Sequence, residues 1–382
     1  MAAGNSSFGA AKANKNDEFY TQLTDVEKEL RYYRQHFRGK TILCNCDDPF
    51  ESNFFKYFVL NFNRLGLKKL ISTCYATSPI SGTQLRYRVD ADGQLSFPLD
   101  GEELGDGVKR PYKAVVTTVY DKTGDGSVNM LDVAELFRSG ENELTQLEGD
   151  GDFQSPECLA LLDEADIVVT NPPFSLFREY IATLVEHGKQ FLIIGSQNNV
   201  TYKDVFSLMM DNKVWLGYKA GDMAFTVPDY YEPRETRYWQ DENGQKWRSL
   251  GNICWFTNLD IRKRHEDLIL VKRYNTEDYP KYDNYDAIEV SKVTDIPCDY
   301  SGLMGVPITF LDKYNPEQFE LLGITDRNNP YGLTIKVYSK EDGSNYSDCN
   351  RRGAIRLSDG TLKSTYARLL IRNKHPEQPK GV

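Results

Sequence analysis

A chain of 382 residues with 40% hydrophobic content and 24 tyrosines is long enough for two or three domains, each with a sizeable core. No stretch approaches the roughly 20 consecutive apolar residues of a membrane span, and seven scattered cysteines, an odd count, argue against a disulfide framework. The net charge of −10 weighs against a uniformly basic nucleic-acid binder, yet from Arg351 to Val382 eight Lys and Arg stand against two acids. A second basic knot runs through Arg262, Lys263, Arg264 and His265. An acidic body with basic stretches is compatible with a nucleic-acid partner, and equally with a solvated surface.

The opening "MAAGNSSFGAAKANKND" is small and polar without the apolar region of a secretory signal, so residues 1–16 read as a disordered tail of a cytoplasmic protein. "TDVEKELRYYRQHF" follows as a helix, with Thr24 as candidate N-cap, acids in its first turn and bases in its last. "KTILCNCDDP" is a strand ending in acids and a proline. Its Cys44 and Cys46 have no second thiol pair at zinc spacing and read as small residues at a strand end. "FESNFFKYFVLNFNRLG" is an apolar helix closed by Gly66, and "LKKLISTCYA" is a second strand. Strand, helix, strand is the rhythm of a parallel sheet.

Residues 81–112 interrupt that rhythm with an inserted hairpin around an Asp-Gly turn, "RYRVDADGQLSFPLDG". It resumes with "ECLALLDEA" (helix), "DIVVT" (strand), "FREYIATLVEHG" (helix ended by Gly188) and "QFLIIGS" (strand). From about residue 216 the texture changes to short strands rich in Trp, Tyr and Thr between charged turns.

Three features fall where ligands sit in an open α/β sheet, at the carboxyl ends of strands: "CNCDDP", "GDGDF" and "NPPF". The last is the most telling. "ADIVVTNPPF" runs a buried-looking strand straight into Asn171, Pro172, Pro173 and Phe174. A loop that merely contains prolines is one reading. The other is a pocket for the flat face and amino group of a nucleobase. The exocyclic amine of adenine is a poor nucleophile because its lone pair is delocalised into the ring. An Asn side-chain oxygen and an adjacent backbone carbonyl can accept its two hydrogens, and the prolines hold that carbonyl rigid. A phenyl ring can stack on a base extruded from a duplex. Such chemistry needs a methyl donor held in line with the amine.

A further loop, "DKTGDGSVNMLD", places Asp121, Thr123, Asp125, Gly126, Asn129 and Asp132 at positions 1, 3, 5, 6, 9 and 12 of a calcium loop of the EF-hand type. Thr at position 3 and Asp at position 12 depart from the strict pattern. A metal-free turn with a helix N-cap explains the same residues.

"KNDEFYTQL", "CNCDDP", "GDGDF", "ADIVVTNPPFSLFREY" and "GVPITFLDKYNPEQFELLGI", in this order, resemble the EcoRI-type adenine-specific DNA methyltransferases over most of the chain. The resemblance implies a doubly wound, Rossmann-like α/β methyltransferase sheet over residues 17–258. Over 259–382 it implies a smaller, β-rich C-terminal target-recognition region. It also implies S-adenosylmethionine as cofactor and double-stranded DNA as partner. Phe19, Tyr20 and Thr21 match the motif that borders the methionine end of the cofactor. Asp47, Asp48 and Pro49 stand where the cofactor turn is usually rich in glycine, and none is present here. Asp152 matches the acid facing the cofactor's adenine amino group, with Phe153 against that ring, and Asn171 through Phe174 form the catalytic motif. Arg262, Lys263, Arg264, Arg351 and Arg352 are expected on DNA phosphates. The expected reaction is methylation of adenine N6 in a specific DNA sequence. An RNA base methyltransferase and a non-catalytic nucleic-acid-binding protein on the same fold are the alternatives.

Overall fold

The computed structural model describes residues 19–46, 52–74, 111–227, 231–326 and 331–378, together with the backbone of 88–89 and 95–96. The expected tail (1–16) and cofactor turn (Asp47, Asp48, Pro49) lie outside the described residues. Among the described residues no helix is long and apolar enough to cross a membrane. The chain divides into two compact units, Met1–Gln197 with Lys219–Leu259, and Asn198–Tyr218 with Asp260–Val382.

The large sheet takes β1 (Tyr20–Thr21), β2 (Thr41–Cys44), β3 (Lys69–Thr73), β6 (Tyr112–Val116), β7 (Glu143–Gln146), β8 (Ile167–Thr170), β9 (Gln190–Ser196), β10 (Trp215–Thr226), β11 (Tyr238–Gln240) and β12 (Lys246–Thr257). Their spatial order is β1-β10-β12-β9-β8-β2-β3-β6-β7, with β11 paired to β12. The four central neighbours β9, β8, β2 and β3 are parallel, and β12, β6 and β7 extend the sheet antiparallel. Every residue of β2 and β8 is buried, as a parallel strand covered on both faces demands. A short antiparallel pair, β4 (Arg88–Val89) with β5 (Leu95–Ser96), occupies the position of the expected inserted hairpin.

The helix after β2 begins at Asn53, where Ser52 Oγ accepts from the amides of Phe54 and Phe55 at 3.1 and 3.3 Å. Such a cap contributes about 1 kcal/mol. The helical run ends at Gly66, whose φ of 63° lies in the left-handed region that favours glycine. One N-cap differs from expectation. The first helix begins at Leu23 behind Gln22, so Thr24 lies inside its first turn and caps nothing.

The second unit holds a smaller sheet of β13 (Ala287–Glu289), β14 (Leu303–Pro307), β15 (Phe319–Ile324) and β18 (Arg368–Asn373), in the order β13-β14-β18-β15. β16 (Ala354–Arg356) and β17 (Leu362–Ser364) form a separate hairpin. The protein is thus mixed α/β, with a large mixed sheet and a smaller C-terminal β-sheet.

Candidate active site

Strands β2, β8 and β7 run in the same direction, so the loops that follow them open at one edge of the sheet. Asn45, the residue after β2, ties two of these loops together. It is buried, its carbonyl accepts from Thr170 Oγ1 and its side-chain oxygen accepts from the Tyr180 hydroxyl. Tyr180 belongs to the helix Phe177–Glu186 behind the NPPF segment, and its ring meets that of Phe153 edge-on at 5.0 Å. Sequence reasoning missed Asn45. Its only signal is its place at the end of a buried parallel strand.

Thr170 closes β8 and Asn171 leaves it. Asn171 Nδ2 donates to the Phe19 carbonyl at 2.7 Å. A carbonyl can only accept, so this bond decides which end of the amide is nitrogen and aims Oδ1 the other way. Oδ1 is buried and has no hydrogen-bond partner among the described residues. Leaving such an acceptor unmet costs roughly 1–3 kcal/mol, which a donor entering the site would recover. Pro172 is buried, while Pro173 and Phe174 are half-buried.

The Phe19–Tyr20–Thr21 segment is an edge strand, with Tyr20 opposite Thr226 and Thr21 opposite Phe225. The Thr21 carbonyl accepts from Asn53 Nδ2 at 2.8 Å, whereas its buried hydroxyl has no partner. The ring of Phe19 lies on that of Phe174, with centroids 5.4 Å apart and planes 22° apart. The structure therefore brings the N-terminal segment to the NPPF segment. Asp152 is half-buried, and its Oδ1 accepts from the amide of Gln154 at 2.9 Å, which shapes the turn ahead of the helix Pro156–Glu164. Phe153 is buried.

The loop 121–132 is held by its own hydrogen bonds. Carboxylate oxygens of Asp121, Asp125 and Asp132 lie within 4.8 Å of one another. Asp121 accepts from the amides of Gly124, Asp125 and Gly126. Asp132 accepts from those of Lys122, Thr123 and Asn129. Asn129 Oδ1 turns to the Leu131 amide, so Asn129 and Asp132 form the capping box of the helix Met130–Arg138. Burial acts to raise the Asp132 pKa, but the amides of Thr123 and Asn129 outweigh it and hold the carboxyl below its ordinary range. The fold of this loop is explained without calcium, and the three carboxylates stand close enough to one another to hold a cation. Caps and turns account for these side chains, including Asn129 and Asp132 at the positions expected to bind metal.

Asp132→Ala is accordingly expected to cost about 1–2 kcal/mol of stability, measured by denaturant unfolding at neutral pH. A carboxyl whose pKa is depressed by folding stabilises above its unfolded pKa, so the deficit shrinks as pH falls through the folded value. Millimolar calcium or a chelator should leave the melting temperature and methylation rate unchanged. A calcium-dependent rise in melting temperature that Asp121→Ala removes would instead establish a metal site.

Among the basic residues, Arg262 has a side chain 90% exposed, with its Nε 3.7 Å from Glu266 Oε1. Lys263 turns inward, its Nζ donating to the carbonyls of Gly217 and Tyr218 at 3.0 and 3.3 Å and pairing with Asp312. The guanidinium of Arg264 lies 3.8 Å from the Trp215 ring centre and donates to Asn212 Oδ1. Arg351 is exposed, and Arg352 is paired with Asp326. Of the five residues expected on phosphates, Arg262 and Arg351 are the exposed ones, while Lys263, Arg264 and Arg352 are partly buried and have partners within the chain.

Residues 7–374 match the family model of the adenine-specific methyltransferase EcoRI. The Type II methyltransferase M.EcoRI of Escherichia coli is 47% identical over 316 residues, covering 82% of this chain and 87% of that protein. The Type II methyltransferase M.MpnI of Mycoplasma pneumoniae is 36% identical over 375 residues, covering 96% of this chain and 98% of that protein. No solved structure matches the chain at a significant level. Matched almost end to end, the chain belongs to the EcoRI family of adenine-specific methyltransferases and is an adenine-specific DNA methyltransferase of the restriction–modification type.

Proposed function

We propose that the first unit methylates N6 of an adenine extruded from DNA, with Asn171, Pro172, Pro173 and Phe174 as the catalytic motif. The observation that carries this reading is the Asn171 amide, anchored by Nδ2 on the Phe19 carbonyl with Oδ1 buried and unmet. Oδ1 would accept one hydrogen of the adenine amine, and the Pro172 carbonyl the other. Drawing electron density along both N–H bonds makes the nitrogen more nucleophilic, and acceptors fixed in advance need no reorganisation during the reaction. Phe174 would hold the extruded base by its face.

The family implies S-adenosylmethionine, which when bound supplies an electrophilic methyl group. The chain's own residues suit it. The buried Thr21 hydroxyl lacks a partner where the resemblance expects the methionine end. Phe153 and the half-buried Asp152 lie at the same sheet edge, where a ring face and an acceptor would receive the adenine end. Four adjacent parallel strands, with β3 on one side of β2 and β8 on the other, support the doubly wound reading, since ligands bind where strand order reverses. Asp47, Asp48 and Pro49, outside the described residues, are proposed as the cofactor turn from the resemblance alone. The second unit is proposed to recognise the target sequence, with Arg262 and Arg351 on phosphates.

Labelled methyl transfer from S-adenosylmethionine to DNA and to RNA tests the reading. Label is expected in DNA as N6-methyladenine, and label confined to RNA would favour the RNA methyltransferase. Asp152→Ala should raise the KM for the cofactor about tenfold and leave kcat at saturation nearly intact. Its contact would be alike in ground and transition states and therefore acts as uniform binding. An unchanged cofactor KM would remove Asp152 from the site.

A further inference from the structure

Phe19 makes two separate contacts with the catalytic motif. Its backbone carbonyl holds the Asn171 amide at 2.7 Å, and its ring lies nearly flat on Phe174. Around that ring, Phe225 and Tyr231 stand edge-on at centroid distances of 5.6 and 6.1 Å, and Phe225 is also edge-on to Phe174 at 6.3 Å. A flat aromatic group is thus held against the face of Phe174, with aromatic edges around it and Asn171 alongside. A flipped purine stacked on Phe174 with its amine toward Asn171 needs the same surroundings.

We propose that the Phe19 ring and the target adenine compete for one face of Phe174, so that Phe19 is a stand-in that the base must displace. This rests on the reading of Phe174 as the platform for the base. The carbonyl and the ring of one residue can separate. Rotation about the Cα–Cβ bond swings the ring of the half-buried Phe19 aside while the main chain keeps its grip on Asn171. Displacement has a counterpart gain, because an entering amine can donate to Asn171 Oδ1, which is otherwise buried without a donor. A base with no amine at that place would meet the same obstruction without that gain. The ring thereby sets the cost of base capture for every base, and the Asn171 oxygen alone tells adenine from a base without the amine.

The test compares two duplexes carrying the chain's own site, first read from the methylome of cells expressing the protein. One has the target adenine and the other an abasic position there, both with saturating S-adenosylhomocysteine so that no turnover occurs. An aromatic pair of this kind shifts an equilibrium about two- to tenfold. Phe19→Ala should therefore tighten binding of the adenine duplex by about that factor and leave the abasic duplex unchanged. Equal change for both duplexes, or weaker binding of the adenine duplex, would overturn the competition and make Phe19 a structural support.

Phe19→Trp adds an optical readout. Its added fluorescence should change on binding the adenine duplex and stay constant on binding the abasic one. A response to both duplexes, or to neither, would also count against displacement. If the parental protein transfers no methyl group to DNA, the functional reading itself fails, and that result is distinct from either outcome above.

Discussion

Asn171→Ala is expected to slow methyl transfer on the order of a thousandfold or more, while the affinity for S-adenosylmethionine stays within a few fold of the parent. Removing one preorganised hydrogen-bonding group from a reacting centre typically costs 10²–10³ in turnover. Here the loss should be at the upper end, because Asn171 is also the residue whose position the Phe19 carbonyl fixes. The cofactor should be spared, since the proposed cofactor residues Thr21, Asp152 and Phe153 do not depend on the Asn171 amide. Asn171→Asp sharpens the test. It keeps an acceptor in place but turns its second oxygen toward the Phe19 carbonyl, where two acceptors repel. It should therefore be nearly as impaired as the alanine variant, although it retains the chemistry of an acceptor. Single-turnover rates with labelled cofactor, beside equilibrium cofactor binding, decide the matter. Turnover within tenfold of the parent would sink the catalytic role, and a parallel collapse of cofactor affinity would sink the division of labour.

How much of this was legible in the sequence depends on the range of the interaction involved. The parallel strands β2, β8 and β9 could be read directly, because burial on both faces leaves almost no polar residue to blur a run such as IVVT. β6 and β7 were not expected as strands. β7 is largely exposed, its sequence ELTQ carries no apolar run, and its place in the sheet comes only from pairing with β6. The NPPF segment points to the proposed site, but its geometry rests on a bond between residues 152 positions apart. The N-terminal segment could be matched to the cofactor, whereas its stacking on Phe174 has no local signature.

The loop 121–132 shows a different limit. A calcium loop and a capping box both ask for side-chain oxygens at Asn129 and Asp132, so the same letters serve either, and the capping box is seen only once the backbone amides are in place. The basic knot at 262–264 shows a related limit. Composition counts charges, but the neighbours of Lys263 and Arg264 are Asp312, Trp215 and Asn212, brought in from distant parts of the chain.

In the second unit, Arg368→Met is expected to lower stability by roughly 3–5 kcal/mol, the largest effect foreseen for a residue outside the proposed catalytic motif. Arg368 opens β18 opposite Pro307, and Glu289 closes β13 opposite Gly305, so the pair spans the sheet across β14. The guanidinium donates from Nε and Nη2 to Glu289 Oε1 at 3.0 and 2.7 Å, and the Tyr282 hydroxyl donates to Oε2. The side chains of Arg368 and Glu289 are only 12% and 5% exposed, so solvent offers little replacement for a lost partner. Methionine preserves much of the volume but strands a buried carboxylate beside one phenol. The penalty belongs to that stranded charge rather than to the value of the intact pair, since a buried pair can often be replaced by packed apolar groups at no loss. Combining Arg368→Met with Glu289→Leu and Tyr282→Phe should therefore recover much of the stability that the single change removes. Urea unfolding of the full chain, followed through both units, measures each variant. A loss below about 1 kcal/mol for Arg368→Met would show that water reaches Glu289. Failure of the triple variant to recover would mean that the sheet needs the hydrogen bonds themselves to keep β13, β14 and β18 in register.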